Sequence, residues 1–240
     1  MPNIIDTTQK SVLVIGASGR TGSECIRAFA KHQNKPEVHA FCRSPSKLAE
    51  SDKNLCTSVV QGNAKDEADI EKALRQTKAD VVVVSVGGGD SVAKSDIRTV
   101  SANAVSNAMK KKEFQHVQAM VVSSIGAGSS SIIVGMGIGM MISFHLRHVL
   151  KDHDGQELAF SVPEVKSRTC VVRPTSLVDS KATGKLVYFN DKEKGPSIET
   201  DRADLANWVT NQICGTESFV GKTVNITGVK QTTRRRHQST

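Results

Sequence analysis

Ser11-Val-Leu-Val-Ile-Gly-Ala-Ser-Gly-Arg-Thr-Gly22 opens on five residues rich in β-branched side chains and ends on the third of three glycines, at 16, 19 and 22. Apolar Ile26, Phe29 and Ala30 follow at helical spacing, so the stretch reads as strand, glycine turn, helix. The first glycine permits a tight turn, the second lets backbone approach a bulky anion, and the third lets the helix pack close to the strand. Free N–H groups and the helix dipole at such a junction attract negative charge, which makes Gly16 to Gly22 a cradle for a pyrophosphate.

Beyond this stretch, Val38 to Cys42 and Thr57 to Gln61 read as the next two strands, and Asp66 to Gln76 as a helix with Ile70, Ala73 and Leu74 on one face. Ala79 to Val86 is nearly unbroken valine and so predicts a strand buried on both sides. A helix over Ser95 to Lys112 follows, its core stripe Ile97, Val100, Ala104, Val105, Ala108 and Met109. Val117 to Ser123 and Arg168 to Arg173 are further strands, the latter ended by Pro174. After a less regular stretch come a helix with Leu205, Trp208, Val209 and Ile213 on one face and a last strand at Thr223 to Thr227. Strands alternating with helices, most strands apolar on both faces, predict an α/β fold: a Rossmann-type doubly wound parallel sheet in a single domain. That domain spans residues 1–228, with a small elaboration on the substrate side. Residues 229–240 form a basic tail expected to be disordered.

The chain has 240 residues, 38% of them hydrophobic and 23% charged, with 18 glycines and 6 prolines, which excludes collagen-like, low-complexity and wholly disordered classes. Its net charge of +8 invites a nucleic-acid reading, but Arg234, Arg235 and Arg236 lie in the tail and Lys110, Lys111 and Lys112 at one helix end. Aromatic residues are only 4%, so no stacking platform accompanies the charge and no nucleic-acid partner is expected. The five cysteines form no CxxC pair and have no zinc-ligand spacing, so no metal site is expected and buried free thiols in a reducing compartment are. Met1 to Lys10 lacks the pattern of a secretory signal, and the longest apolar run, Ile132 to Phe144, is too short and glycine-broken to span a membrane. The expectation is a cytoplasmic monomer or homodimer with a small-molecule substrate and no membrane span.

Which dinucleotide sits in the cradle is read after the second strand, where an acid would accept a ribose 2′-hydroxyl and repel a 2′-phosphate. Cys42-Arg-Ser-Pro-Ser-Lys47 holds no acid; Arg43 offers a bidentate fork, with Ser44 and Lys47 as further donors, so NADP(H) is preferred to NAD. The other reading is a solvated basic loop. The GxxGxxG spacing, Arg43, Gly62-Asn-Ala-Lys-Asp66, Ser85-Val-Gly-Gly88, Ser123-Ser124 and Val172-Arg-Pro174 together resemble the atypical short-chain dehydrogenase/reductases. Within these the chain is similar to the NAD(P)H-binding group of NmrA-like proteins and biliverdin/flavin reductases, over roughly residues 11 to 227. Ile198 to Ala206 is similar to that group's late segment, in which an Asp begins a helix beside the sheet. The resemblance implies that Gly16, Ser18, Gly19, Arg20, Thr21 and Gly22 hold the pyrophosphate and Arg43, Ser44 and Lys47 the 2′-phosphate. It further implies that Asn63 and Ala64 edge the adenine, that Val86, Gly87 and Gly88 line the ribose, and that Pro174 and Thr175 adjoin the nicotinamide.

By the same resemblance Ser124 is the serine that hydrogen-bonds substrate; its other reading is a hydroxyl that only ties the strand end. The dehydrogenases of this family also carry Tyr-xxx-Lys, whereas the sole tyrosine here is Tyr188 and glycines occupy the expected region. If Ser143 to Asp152 is one helix, His145, His148 and Asp152 share a face, and either histidine is a substitute for proton delivery or a structural residue. Ile132 to Phe144 reads as an apolar lid, a buried segment or an oligomer contact. Two functions follow: an NADPH-dependent oxidoreductase that passes hydride to a flavin, quinone or carbonyl compound without Tyr-xxx-Lys, or a non-catalytic NADP(H) sensor of the NmrA-like kind acting through protein partners.

Overall fold

The computed structural model describes residues 9–135 and 137–229. Met1 to Thr8 and, but for Val229, the basic tail lie outside the described residues. Eight strands form one sheet in the order β3 (Ser58–Gln61), β2 (Glu37–Cys42), β1 (Ser11–Ile15), β4 (Val81–Val84), β5 (Gln118–Val122), β6 (Thr169–Pro174), β10 (Lys222–Gly228), β8 (Leu186–Phe189). Neighbours are parallel throughout except β8, which runs antiparallel to β10. The strand order reverses between β1 and β4, the place where an open α/β sheet leaves a crevice at its carboxyl edge. β7 (Ser176–Val178) and β9 (Glu199–Asp201) form a separate parallel pair.

Alternation along each strand sends side chains to two cores. Leu13 and Ile15 of β1 face one layer with Ile70 and Leu74 of α3 (Glu67–Thr77), Val105 and Met109 of α4 (Ile97–Lys110), Phe160 of α6 (Arg147–Phe160) and Val165 of α7 (Pro163–Lys166). Val12 and Val14 face the other, against Ile26 and Phe29 of α1 (Arg20–Lys31) and Leu205, Val209 and Ile213 of α8 (Arg202–Cys214). The short α2 (Glu50–Lys53) follows β2, and α5 (Ile138–His145) precedes α6. Two helices start as their sequences dictate: Asp66 accepts from the Ala68 N–H at 2.9 Å and Asp201 from the Ala203 N–H at 2.9 Å, satisfying donors that a helix start leaves open.

Several expectations are corrected. The less regular stretch after β6 contains β7, β8 and β9, each only three or four residues long and without a readable period. The helix expected over Ser95 to Lys112 runs from Ile97 to Lys110, and its stripe turns toward Ala102 and Val105, so that Ile97 and Val100 are only half-buried. The single helix expected over Ser143 to Asp152 is two, because Leu146 (φ −88°, ψ 5°) breaks it. Among the cysteines, Cys25, Cys42 and Cys170 are buried free thiols, while Cys56 and Cys214 are half-buried. Burial pushes the Cys25 thiol up to about 12. Tyr188 lies on the edge strand β8, its hydroxyl accepting the Trp208 indole N–H at 2.7 Å. Among the described residues no helix is long and apolar enough to cross a membrane.

Candidate functional site

The turn after β1 is shaped by its glycines. Gly16 adopts φ +90°, and a Cβ there would stand 2.9 Å from the Ser85 carbonyl oxygen. A Cβ on Gly22 would overlap the Gly16 carbonyl, so the first turn of α1 can lie against β1 only without a side chain at that position. Gly19 caps the helix without a side-chain partner, and there is no acid in the first turn. The N–H of Gly19 bonds the Gly16 carbonyl at 2.9 Å, whereas those of Ser18, Arg20, Thr21 and Gly22 find no acceptor among the described residues. Four unpartnered donors at a helix N-terminus fit a pyrophosphate. Arg20 projects beside them and pairs with Asp90 and Asp179, the latter also held by Arg202.

A cavity of about 580 Å³ opens from this turn along the carboxyl ends of β4, β5 and β6. Gly19, Arg20 and Thr21 line one end, Val86 and Gly87 continue it after β4, and Ser124, Pro174 and Thr175 lie beyond. Ile132, Ile133, Val134, Ile142, Leu146 and Val149 make an apolar wall, so the inner side of the 132–144 segment belongs to this cavity. Ile138, Met140, Met141 and Phe144 of the same segment are exposed. The Ser124 hydroxyl donates to the Ile125 carbonyl at 3.1 Å and keeps its acceptor capacity open.

Side chains distant in sequence fix this second half. Buried Arg173 donates to both oxygens of Glu157, at 2.8 and 2.6 Å, and Ser123, which lines the cavity beside Ser124 just past the end of β5, donates to the same carboxylate at 2.6 Å. Arg173 also reaches Ser129 and Asp191, each at 3.2 Å, and Gly128 lets it approach, because a Cβ there would collide with both Arg173 and Glu157. Hydrogen bonds from Ser129 and Asn225, with Arg173 beside them, hold the Asp191 carboxyl below the usual range. Asp152 of α6 caps α4 from outside, accepting from the N–H groups of Arg98 and Thr99 at 3.1 and 2.9 Å.

Two cavity residues were not legible in the sequence. His153, buried on α6, lines the cavity with Nδ1 3.0 Å from Gln156 Oε1; burial, then the nearby Arg98 cation, push it down to about 4, so it is neutral at pH 7. Arg98 lies across Gly87, and its guanidinium has one acceptor among the described residues, Asp152 Oδ2 at 3.4 Å. Val149 and His153 stand four apart on the cavity-facing side of α6. A helix start that depends on a distant carboxylate leaves no local signal for Arg98. His153 would have been found only by placing the break at Leu146.

The remaining expected residues divide. Gly16, Ser18 and Gly22 shape the turn without lining the cavity, Ser18 being half-buried. Arg43, Ser44 and Lys47 lie on the turn after β2, which the Lys47 N–H closes on the Ser44 carbonyl at 3.0 Å. Arg43 and Lys47 are exposed and make no ion pair among the described residues. Asn63 and Ala64 follow β3 on the same edge, outside the enclosed volume, and the Asn63 N–H is taken by Asp69 at 2.8 Å. Gly88 and His148 line a smaller adjoining cavity of about 160 Å³ with Arg98 and Asp152. His145 is exposed while Asp152 is buried, so the common face expected for His145, His148 and Asp152 does not exist: the break at Leu146 turns α6 relative to α5. Among the described residues no group of three His, Cys, Asp or Glu side chains could hold a metal.

Residues 16–214 match the model of a protein family described as NAD(P)H-binding. No curated protein matches the chain in sequence. Among solved structures, it is similar to a Rossmann-fold NAD(P)-binding family protein from Shigella flexneri (21% identity, 91% of this chain and 93% of that one, TM-score 0.64). It is also similar to a short-chain dehydrogenase/reductase from Veillonella parvula in complex with NADP (12%, 91% and 94%, TM-score 0.72). A third is the anaerobillin reductase of Escherichia coli (17%, 90% and 96%, TM-score 0.67). At these identities the likeness is one of fold.

Proposed function

Because the chain belongs to the NAD(P)H-binding family, we propose that it is an NADPH-dependent reductase that transfers hydride to a planar or hydrophobic acceptor: a flavin, a quinone or a carbonyl compound. The observation that carries this reading is the continuity of one cavity, with open N–H donors of α1 at one end, Ser124 in its course and an apolar wall beside it. The NADP complex of the Veillonella relative and the reductase activity named for the Escherichia one support the same class. Bound NADPH supplies the hydride. The chain's own residues bind and orient: the N–H groups of Ser18, Arg20, Thr21 and Gly22 hold the pyrophosphate, and Arg43, Ser44 and Lys47 hold the 2′-phosphate.

Ser124 gives its hydroxyl proton as a hydrogen bond to the acceptor atom on which charge develops, in exchange for its bond to the Ile125 carbonyl. His153 is too acidic as an imidazolium to be protonated at pH 7, so it shapes the pocket as a neutral ring, and the proton that completes reduction comes from water. A flavin or quinone accepts hydride on those terms; an unactivated ketone, which depends on a proton donor, does not. Five unpaired thiols suit the reducing cytoplasm. NADPH oxidation with FMN, quinones and biliverdin tests the proposal. Turnover is expected, and Ser124→Ala should lower kcat about tenfold or more, as loss of a transition-state donor does; unchanged turnover removes Ser124 from the mechanism. A second reading, the NADP(H) sensor, is favoured by the missing Tyr-xxx-Lys pair, the sole tyrosine, Tyr188, lying on the edge strand β8 and not lining the cavity. Tight NADPH binding with no turnover across the acceptor panel would decide for it.

A further inference from the structure

We propose that the outer face of α5 is a docking surface for an anionic lipid bilayer, on which the protein sits without spanning it. Met140, Met141 and Phe144 are 76, 72 and 69% exposed, and their three- and four-residue spacing puts them on one face of the helix, with Ile138 beside them. The one hydroxyl of this helix before its last residue, Ser143, donates to the Gly139 carbonyl at 2.8 Å, so Ile138 to Phe144 present no unsatisfied side-chain donor to an apolar medium. The opposite face is committed to the cavity through Ile142, so the exposed residues are not a core face awaiting a segment of the same domain.

The charge around the patch selects the occupant. From Phe114 to Lys151 the sequence contains no Asp or Glu, while Arg147 and Lys151 follow the patch directly. Arg147 folds back over it: its guanidinium carbon lies 4.6 Å from the centroid of the Phe144 ring, and Nη1 donates to the Phe144 carbonyl at 3.0 Å. An apolar face that dips to shallow depth with a cation at its rim is the arrangement by which a monotopic surface meets lipid phosphates. The next acids are engaged elsewhere, Asp152 on the N–H groups of α4 and Asp154 on the Gly128 N–H at 2.7 Å. Methionines suit a fluid partner, since their unbranched side chains adapt to irregular packing.

The inference does not depend on the proposed reaction, and its test needs no turnover. The full chain is mixed with phosphatidylcholine vesicles with and without phosphatidylserine and floated on a density gradient, with sedimentation velocity on lipid-free protein alongside. Flotation with the serine-containing vesicles is expected, weakening as salt is raised. Phe144→Asp should reduce the bound fraction roughly tenfold or more and Arg147→Gln about fivefold, with unchanged melting temperatures. Failure to float with either vesicle, or flotation indifferent to Phe144→Asp, overturns the proposal. A lipid-independent dimer that Phe144→Asp dissociates overturns it as well and makes α5 a self-interface.

Discussion

The two ends of the carboxyl edge are built from different materials. Around β1 the site is backbone: a turn that tolerates no side chain at Gly22, and a row of N–H groups left open by a helix with no cap of its own. Around β5 and β6 it is side chain: Ser123, Glu157, Arg173, Asp191, Ser129 and Asn225, drawn from elements up to a hundred residues apart and locked into one hydrogen-bonded network. In the proposed function the first end takes the pyrophosphate that every dinucleotide shares. The second braces the strand ends behind the cavity, which Ser123 alone of these six lines.

If the ends are energetically separate, substitutions will report on one and spare the other. Gly22→Val should abolish NADPH binding, by at least about a thousandfold in titration calorimetry, because even a Cβ overlaps the Gly16 carbonyl. Arg173→Met leaves the half-buried Glu157 with Ser123 but without its cation, and urea denaturation should show a loss of about 3 kcal/mol. A loss of NADPH affinity in Arg173→Met as large as that in Gly22→Val would show that the two ends act as one unit. His153 contributes through pH. The unfolded chain takes up a proton below about 6.5 while the buried ring refuses it until about 4, so stability falls as pH drops through that window. His153→Gln should remove about 3 kcal/mol of that acid loss, leaving the smaller share of His39, also held down by burial. Arg43→Ala should weaken NADPH by roughly 10- to 100-fold and leave NADH unchanged, the loss of a charge-assisted contact to one phosphate. Equal responses to both nucleotides would end the preference for NADP.

The same contrast explains what could be read beforehand. Strand, turn and helix around Ser11 to Lys31 follow from neighbours in sequence, as do the buried valines of β4 and the Asp66 start of α3. β8 carries no comparable signal: four residues pair with β10 only after the chain has returned to the sheet edge. Periodicity carried the histidine reading through Leu146 as though the helix were continuous, and the break moved the cavity face from His145 to Val149 and His153. Arg173 read as a strand residue before a proline. Its importance depends on Glu157, sixteen residues away on another element, and on the room that Gly128 leaves.

The sole tyrosine and the sole tryptophan stand together at one edge of the sheet, ring centroids 6.4 Å apart and nearly edge-on. Excitation absorbed by the phenol passes to the indole at such a separation, so the protein emits as one fluorophore. Neither ring lines the cavity. Its ultraviolet emission therefore reports the parting of β8 from α8, a built-in optical gauge of unfolding.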